Sequence, residues 1–323
     1  MKYDDRILYK VAQMYYIDNM TQSEIAKRLG QYRTTISRML KKAREEGIVT
    51  INIKSNFDGC FQLEDALEKT FNLKEAIVIP TDEDEAESIR LKKLGQAGSE
   101  FLKRILRDGD ILGFAWGKSV GEVANTLKDC KNISANVVPL VGGPPSDMDN
   151  KYHVNTIVSR VSDEFKAKGH YFYAPAITAE KSTKEAIMND SNFKGILELW
   201  DKVNKAVVGI GAPLKGNNLI WSGYFGDEDI QLLKDVDAVG DICSRFFDIN
   251  GNIVDEKVKD RIISVELEKL KKMEYSIAVA ESSEKAWSIL GALNGGFVNV
   301  LITNNETAET VLNLHEQFTK NKK

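Results

Sequence analysis

With 323 residues, 36.2 kDa, 42% hydrophobic and 28% charged residues, the chain has a globular composition and, at ~150 residues per domain, the length of roughly two domains. Its net charge of −4 is an average over a split: residues 1–54 hold 11 Lys/Arg against 6 Asp/Glu, and the remainder carries −9. No apolar run approaches ~18 residues, so a membrane span is excluded, and the charged, amphipathic start is not a secretory peptide. Three scattered cysteines, Cys60, Cys130 and Cys243, exclude a disulfide framework and a thiolate metal cage, and a reducing cytoplasm is the expected compartment. The histidines are His153, His170 and His315, too few for a multi-histidine metal site or a histidine-driven hydrolase. Neither GxGxxG nor a GxxxxGK[ST] loop occurs, and no cofactor or metal is expected.

Residues 4–18 place Ile7, Leu8, Val11, Met14 and Tyr15 at helical spacing. Thr21-Gln22-Ser23-Glu24 follows as a capping box, Ile25, Ala26 and Leu29 form an apolar face, and Gly30 stands where a left-handed C′ residue belongs. A second helical pattern runs through Ile36, Met39, Leu40 and Ala43. Two short helices joined by a glycine-bearing turn, with a small residue at their crossing, form a helix-turn-helix pattern. From Ile25 to Arg44 there are seven basic residues and no acidic one. A basic helix pair alone is as readily a solvated face; here cap, small residue, turn glycine and apolar spacing coincide in order, which favours DNA. Candidate DNA contacts are Thr21, Gln22, Arg33, Thr34, Thr35, Ser37, Arg38, Lys41 and Lys42. Those that open the second helix suit base edges in the major groove, and the lysines suit phosphates. Gly47 to Ile53 alternates like a strand and is expected to be one side of a wing.

Residues 57–72 carry Phe61, Leu63, Leu67 and Phe71 on an amphipathic helix suited to linking domains or pairing subunits. Beyond Glu75, short apolar runs at 75–80, 110–117, 136–143, 206–211, 275–280 and 297–303 alternate with helical stretches such as 86–106 and 305–318. Buried runs between helices indicate an α/β domain with a largely parallel sheet. The expected boundaries are 1–55 for the DNA-binding domain, 56–74 for a linker or oligomerisation helix, and 75–323 for an effector and oligomerisation domain.

Ligands in such sheets bind beyond the carboxyl ends of the strands. Gly117-Lys118-Ser119 follows one run and opens a helix, a setting suited to an anion. Gly142-Gly143-Pro144-Pro145, Gly209-Ile210-Gly211 and Glu281-Ser282-Ser283-Glu284-Lys285 follow three others, although glycines after strands also serve simply as turns. In Val239–Asp248, Asp241, Arg245 and Asp248 interrupt an apolar stretch. Asp241 suits the hydroxyls of a polyol, and a structural Asp–Arg pair is the alternative. Cys243 and the tryptophans Trp116, Trp200, Trp221 and Trp287 are read as packing or interface residues.

LYKVAQMYYIDNMTQSEIAKRLGQYRTTISRMLKKAREEGIVTINI resembles the DNA-binding region of the SorC family of bacterial sugar-responsive transcriptional regulators. GDILGFAWGKS, VVPLVGG, AVGDICSRFFDINGNIVD and ILGALNGGFVNVLIT resemble that family's effector domain in the same order, so the likeness spans essentially the whole chain. YRTTISR, YHVNT at 152–156 and GDICSRFFDINGNIVD are most similar to its sorbitol/sorbose-operon branch. The resemblance implies a winged helix-turn-helix head and a Rossmann-like, non-catalytic effector domain folded like ribose-5-phosphate isomerase and glucosamine-6-phosphate deaminase. It also implies a homotetramer on a palindromic operator, with a sugar or sugar phosphate as effector. By matching motif, Gly117, Lys118 and Ser119 would hold phosphate with charge from Lys285, Asp241 would contact sugar hydroxyls, and Gly142 and Gly143 would line the site. Val141 stands where one branch carries a Schiff-base lysine, which disfavours an aldehyde-linked deoxyribose phosphate. Glu281 and Ser282 stand where the family is often glycine-rich. The alternative from another class is a sugar-phosphate isomerase or deaminase with an appended head, using Asp241 or Glu281 as base.

Overall fold

The computed structural model describes residues 3–51, 59–82, 84–144, 149–213, 227–256 and 258–321. It divides into two compact units, Met1–Asn56 and Phe57–Lys323.

The head consists of α1 (Asp5–Tyr16), α2 (Gln22–Leu29) and α3 (Arg33–Glu45). The Asp4 carboxylate caps α1 by accepting the Arg6 amide at 3.1 Å. At the start of α2 the capping box closes in both directions: Thr21 N–H donates to Glu24 Oε2 at 2.8 Å, and Glu24 N–H donates to Thr21 Oγ1 at 3.3 Å. Gly30 ends α2 with φ +62°, so that the chain turns sharply into α3. Ile25 and Ala26 pack with Leu8, Val11 and Met14 of α1 and with Ile36, Met39, Leu40 and Ala43 of α3. Each fully buried large side chain contributes about 1.5–3 kcal/mol, which holds together a unit of this small size. The strand expected at 47–53 does not form over residues 47–51, where the Val49 amide turns back to the Ala43 carbonyl at 3.0 Å. Residues 52–53 lie outside the described residues.

The body is a three-layer α/β/α sandwich. Its main sheet has the order β1 (Glu75–Ile79), β9 (Val300–Asn304), β8 (Tyr275–Val279), β5 (Lys205–Val208), β2 (Ile111–Phe114), β3 (Asn136–Pro139), β4 (Lys168–Gly169), and every neighbouring pair is parallel. One layer contains α5 (Glu87–Ile105), α6 (Lys118–Thr126) and α7 (Val154–Phe165). Val207, Ile277, Val300 and Phe114 face it. The other face carries Val138, Ala206, Val208, Ala278 and Leu301 against α4 (Cys60–Phe71), α9 (Lys194–Trp200), α12 (Ala286–Asn294) and α13 (Asn305–Asn321). Burial on both faces explains why these strands read as continuous apolar runs rather than alternating ones. Shorter helices are α8 (Lys181–Met188), α10 (Asp227–Asp235) and α11 (Leu267–Leu270).

From β2 the chain steps outward to β3 and β4, then returns to the opposite side of β2 with β5 and continues to β8 and β9. The switch point therefore lies between β2 and β5, and the carboxyl edge beside such a point is where ligands bind in open parallel sheets.

The helix expected at 56–74 as a linker or oligomerisation element packs within the body. α4 buries Leu67, and its Glu68 and Glu64 carboxylates accept the outward Ala76 and Val78 amides of β1 at 2.9 and 2.8 Å. One element that the periodicity does not show is an antiparallel hairpin, β6 (Gly240–Ile242) and β7 (Arg245–Phe247). Its turn residues, Cys243 and Ser244, have φ +53° and +62°, in the left-handed region that a two-residue turn of this hand requires.

Candidate functional site

On the head, the apolar stripe of α3 points inward and leaves Arg33, Thr34, Ser37, Arg38 and Lys41 exposed, with Thr35 and Lys42 half-buried. Thr34, Arg38 and Lys41 recur at helical spacing along one outward face. No carboxylate among the described residues lies within ion-pair distance of Arg33 or Arg38, so both guanidinium groups remain available to a partner. Lys42 pairs with Glu46 at 3.2 Å, and Lys41 lies 3.9 Å from Glu45; pairs this exposed are easily exchanged for phosphate. Thr21 is engaged in the cap, its hydroxyl also donating to Glu24 at 2.7 Å, so its contribution is to fix where α2 starts. Gln22 stands half-buried in the first turn of α2.

In the body, the predicted effector residues lie on loops at the carboxyl edge of the sheet, around the switch point. β2 leads through Ala115 and Trp116 to Gly117, which caps α6 with φ +125° and ψ 167°, a conformation essentially confined to glycine. A Cβ built at Gly117 would meet nothing within 4 Å, so the space above the loop is open. The Gly117 amide donates to the Tyr152 carbonyl at 3.3 Å, and the first amides of α6, beginning with Lys118 and Ser119, face out of the helix terminus. Lys118 itself is exposed and pairs with Glu87 at 3.1 Å, while Ser119 is buried.

After β3, the Gly142 carbonyl accepts the Trp116 indole N–H at 3.0 Å, which ties the β2 and β3 loops together. A Cβ on Gly142 would stand 2.2 Å from the Pro175 carbonyl oxygen, and one on Gly143 would stand 2.7 Å from His153 Nε2. Pro145 lies outside the described residues. After β5, Gly211 exchanges backbone hydrogen bonds with Asp241 of β6 at 2.9 and 3.2 Å. Asp241 Oδ1 lies 1.9 Å from where a Gly211 Cβ would stand, so only glycine lets the hairpin close over the β5 loop.

The charges couple across these loops. Burial pushes the Asp241 carboxyl up to about 7; the Ser244 amide, which donates to Oδ2 at 3.3 Å, and the charge of Lys285 act in the opposite direction. Burial lowers the Lys285 ammonium, whose charge is supported by Glu281, Asp241 and Glu87 and opposed by Lys118. Lys285 thus senses residues from the β2 loop, α5, β6 and the β8 loop at once. Before it, Ser282 adopts φ +115° and caps the following turn by accepting the Glu284 amide at 3.3 Å. The loop keeps a glycine-like path despite its serine.

The proposed Asp–Arg pairing within 241–248 does not form. Arg245 is buried and donates to Asp255 at 3.1 Å, Glu266 at 2.7 Å and Ser264 at 3.1 Å. Asp248 instead accepts the Asn250 and Asn252 amides of the next turn. Glu281 is buried and accepts from Arg90 at 3.1 Å, which leaves it poorly placed as a general base. Cys243 is buried and its thiol is raised by that burial, as a packing role requires. Trp200 is core, with its N–H on the Pro139 carbonyl, and Trp221 lies outside the described residues. His153 is a site neighbour that spacing did not single out: its Nδ1 accepts the Asn155 amide at 3.2 Å, and its ring lies beside Gly143.

Residues 55–313 match the family model described as "Putative sugar-binding domain", and residues 18–50 match "Winged helix-turn-helix DNA-binding". The chain is 42% identical over 311 residues to the sorbitol operon regulator of Klebsiella pneumoniae, covering 96% of this chain and 98% of that protein. This chain belongs to the SorC family. It is also 34% identical over 304 residues to the deoxyribonucleoside regulator of Bacillus subtilis, covering 94% and 96% of the two chains. The crystal structure of the full-length Klebsiella regulator superposes with a TM-score of 0.77 at 40% identity, covering 97% of this chain and 100% of that one. This SorC-family member is accordingly a DNA-binding, sugar-responsive transcriptional regulator and not an isomerase or deaminase.

Proposed function

We propose that this regulator controls a carbohydrate catabolic operon of the sorbitol/sorbose type and that its effector is a sugar phosphate seated in the crevice between β2 and β5. The observation that carries this reading is the convergence of Gly117–Ser119, Gly142–Gly143, Asp241 and Lys285, from separate loops, on one switch point. The amides of Lys118 and Ser119 would take phosphate oxygens at the α6 terminus, where the helix dipole favours negative charge. Lys118 would leave its exposed pair with Glu87 at little cost. Asp241 would engage sugar hydroxyls, and an anion near Lys285 would offset the burial that disfavours its charge. With Val141 before the glycine pair, the effector would be held without a covalent bond.

The head would place Arg33, Thr34, Thr35, Ser37 and Arg38 in the major groove, with Lys41 and Lys42 on phosphates and α2 positioned by Thr21 and Gln22. Assembly would be a tetramer on a palindromic operator in the cytoplasm. Effector binding would shift the assembly between DNA-competent and DNA-incompetent arrangements in proportion to its differential affinity for the two.

A thermal-shift screen of free and phosphorylated hexitols and ketoses, followed by gel shift with the best hit, tests this reading. A phosphorylated hexitol or ketose is expected to raise Tm and change operator retention. A panel that leaves Tm unchanged contradicts the effector assignment; a response to the free sugar alone removes the phosphate from α6.

A further inference from the structure

In the head, α1 and α2 begin with side chains that cap them: Asp4 accepts the Arg6 amide and Thr21 accepts the Glu24 amide. The start of α3 is different. Its N-cap is Tyr32, in extended backbone at φ −82° and ψ 146°, and the tyrosine side chain makes no capping hydrogen bond. The helix starts on backbone bonds alone, with the Tyr32 carbonyl accepting the Thr35 amide at 2.9 Å and the Ile36 amide at 3.2 Å. Ser, Thr, Asp and Asn are the residues that stabilise such a position.

Tyr32 does not serve the core either. Tyr3, Tyr15 and Tyr16 pack against the apolar centre of the head, whereas Tyr32 is 80% exposed. A large ring is therefore held in water at a helix start where a small polar residue would add stability, and local rules are broken in this way chiefly at functional sites. On one side of it is the left-handed turn at Gly30, and on the other are Arg33 and Thr34, both exposed in the first turn of α3.

We propose that Tyr32 is a further contact to the operator, its ring packed on the 5-methyl group of a thymine in the major groove. The inference rests on α3 lying in that groove, where the first residues of a recognition helix meet base edges. Cα–Cβ bonds tilt toward the N-terminus of a helix, so Tyr32 extends the row of Arg33 and Thr34 by one position beyond the first turn. The ring, and not the hydroxyl, makes the contact. A serine or threonine here would offer a hydroxyl to phosphate and cap α3 as well, so what tyrosine adds is apolar area. Among the groups that base pairs present in the major groove, the thymine methyl is the apolar one, and a contact to it distinguishes sequence.

The test uses a duplex selected from a random library by the full chain, and copies in which each thymine in turn is replaced by deoxyuridine, which lacks only the methyl. Fluorescence anisotropy of the wild type should show a replacement that weakens binding about fourfold, the loss expected for one methyl group returned to water. Tyr32→Phe should bind the thymine duplex as wild type does and keep that sensitivity. Tyr32→Ser should bind it more weakly, lose the sensitivity at that thymine, and melt no earlier than wild type by calorimetry, since serine supplies the missing cap. A wild type indifferent to every replacement overturns the contact. A Tyr32→Phe protein as weak as Tyr32→Ser makes the hydroxyl the contacting group and overturns it too. So does a Tyr32→Ser protein that keeps wild-type affinity and sensitivity, or one that melts earlier, which would make the ring structural. Arg33→Ala with Arg38→Ala separates this inference from the reading it rests on. If that pair loses the duplex while Tyr32→Ser holds it as wild type does, Tyr32 alone is removed; if both hold it, α3 does not lie in the groove.

Discussion

The head presents its candidate contacts on one continuous helix, whereas the body collects its own from loops after β2, β3, β5 and β8 and from the β6–β7 hairpin. On α3 the geometry is local: once Ile36, Met39, Leu40 and Ala43 are buried, helical periodicity alone turns Thr34, Arg38 and Lys41 outward. In the body, Gly117 and Lys285 lie far apart in sequence and reach the same edge of the sheet because β5 stands between β2 and β8. The two regions also handle charge differently. The arginines of α3 have no carboxylate partner among the described residues, which suits a polyanion, while Lys285 and Asp241 sit among opposite charges, which suits a small ligand that replaces part of that balance.

Substitutions should separate the two regions. The largest effect is expected from Arg33→Ala combined with Arg38→Ala. Each arginine that reads a base is worth about 1–3 kcal/mol, roughly tenfold or more in operator Kd. Fluorescence anisotropy should show operator binding lost while the effector-induced rise in Tm persists; retention of both would take α3 out of the groove. Gly117→Ala comes next. Forcing a Cβ onto φ +125° costs about 1–3 kcal/mol, so calorimetry should show the body melting earlier with weaker effector binding and the head's transition unmoved.

A smaller, pH-dependent effect is expected at Asp241. Its carboxyl is raised from 3.8 to about 7, so between those values the folded chain keeps a proton that the unfolded chain releases. Stability from this group is therefore present at low pH and lost as pH rises through about 7. Asp241→Asn should flatten that part of the Tm–pH curve; an unchanged slope would assign the proton elsewhere. The smallest expected change is Lys41→Ala, which should reduce the salt dependence of operator binding by about one phosphate contact without changing sequence preference.

The same contrast explains what could be read before the structure. The capping box, the αL glycine and the apolar face of the head are signals within a few residues, and each appears in place. The strands of the body were legible as runs, and Gly117–Ser119 as a helix-opening loop. Strand order is not encoded in any run, so the switch point between β2 and β5 could not be located from the sequence. The hairpin was hidden because its turn uses Cys243 and Ser244 where a glycine or asparagine would have signalled it. Sequence proximity pairs Arg245 with Asp241 or Asp248, yet its partners Asp255 and Glu266 come from later segments that fold back onto β7. The strand expected at 47–53 is absent over 47–51 because alternating apolar residues need a paired strand, and Val49 there bonds back to Ala43.

Operator affinity measured with and without effector in wild type and Lys285→Glu decides whether the reader on α3 is governed by a sensor assembled at the carboxyl edge of the sheet. The wild-type Kd should change on adding effector, whereas Lys285→Glu should bind operator as the effector-free wild type does and ignore the ligand. A Lys285→Glu protein that still responds to effector like wild type would contradict the crevice as the sensing site.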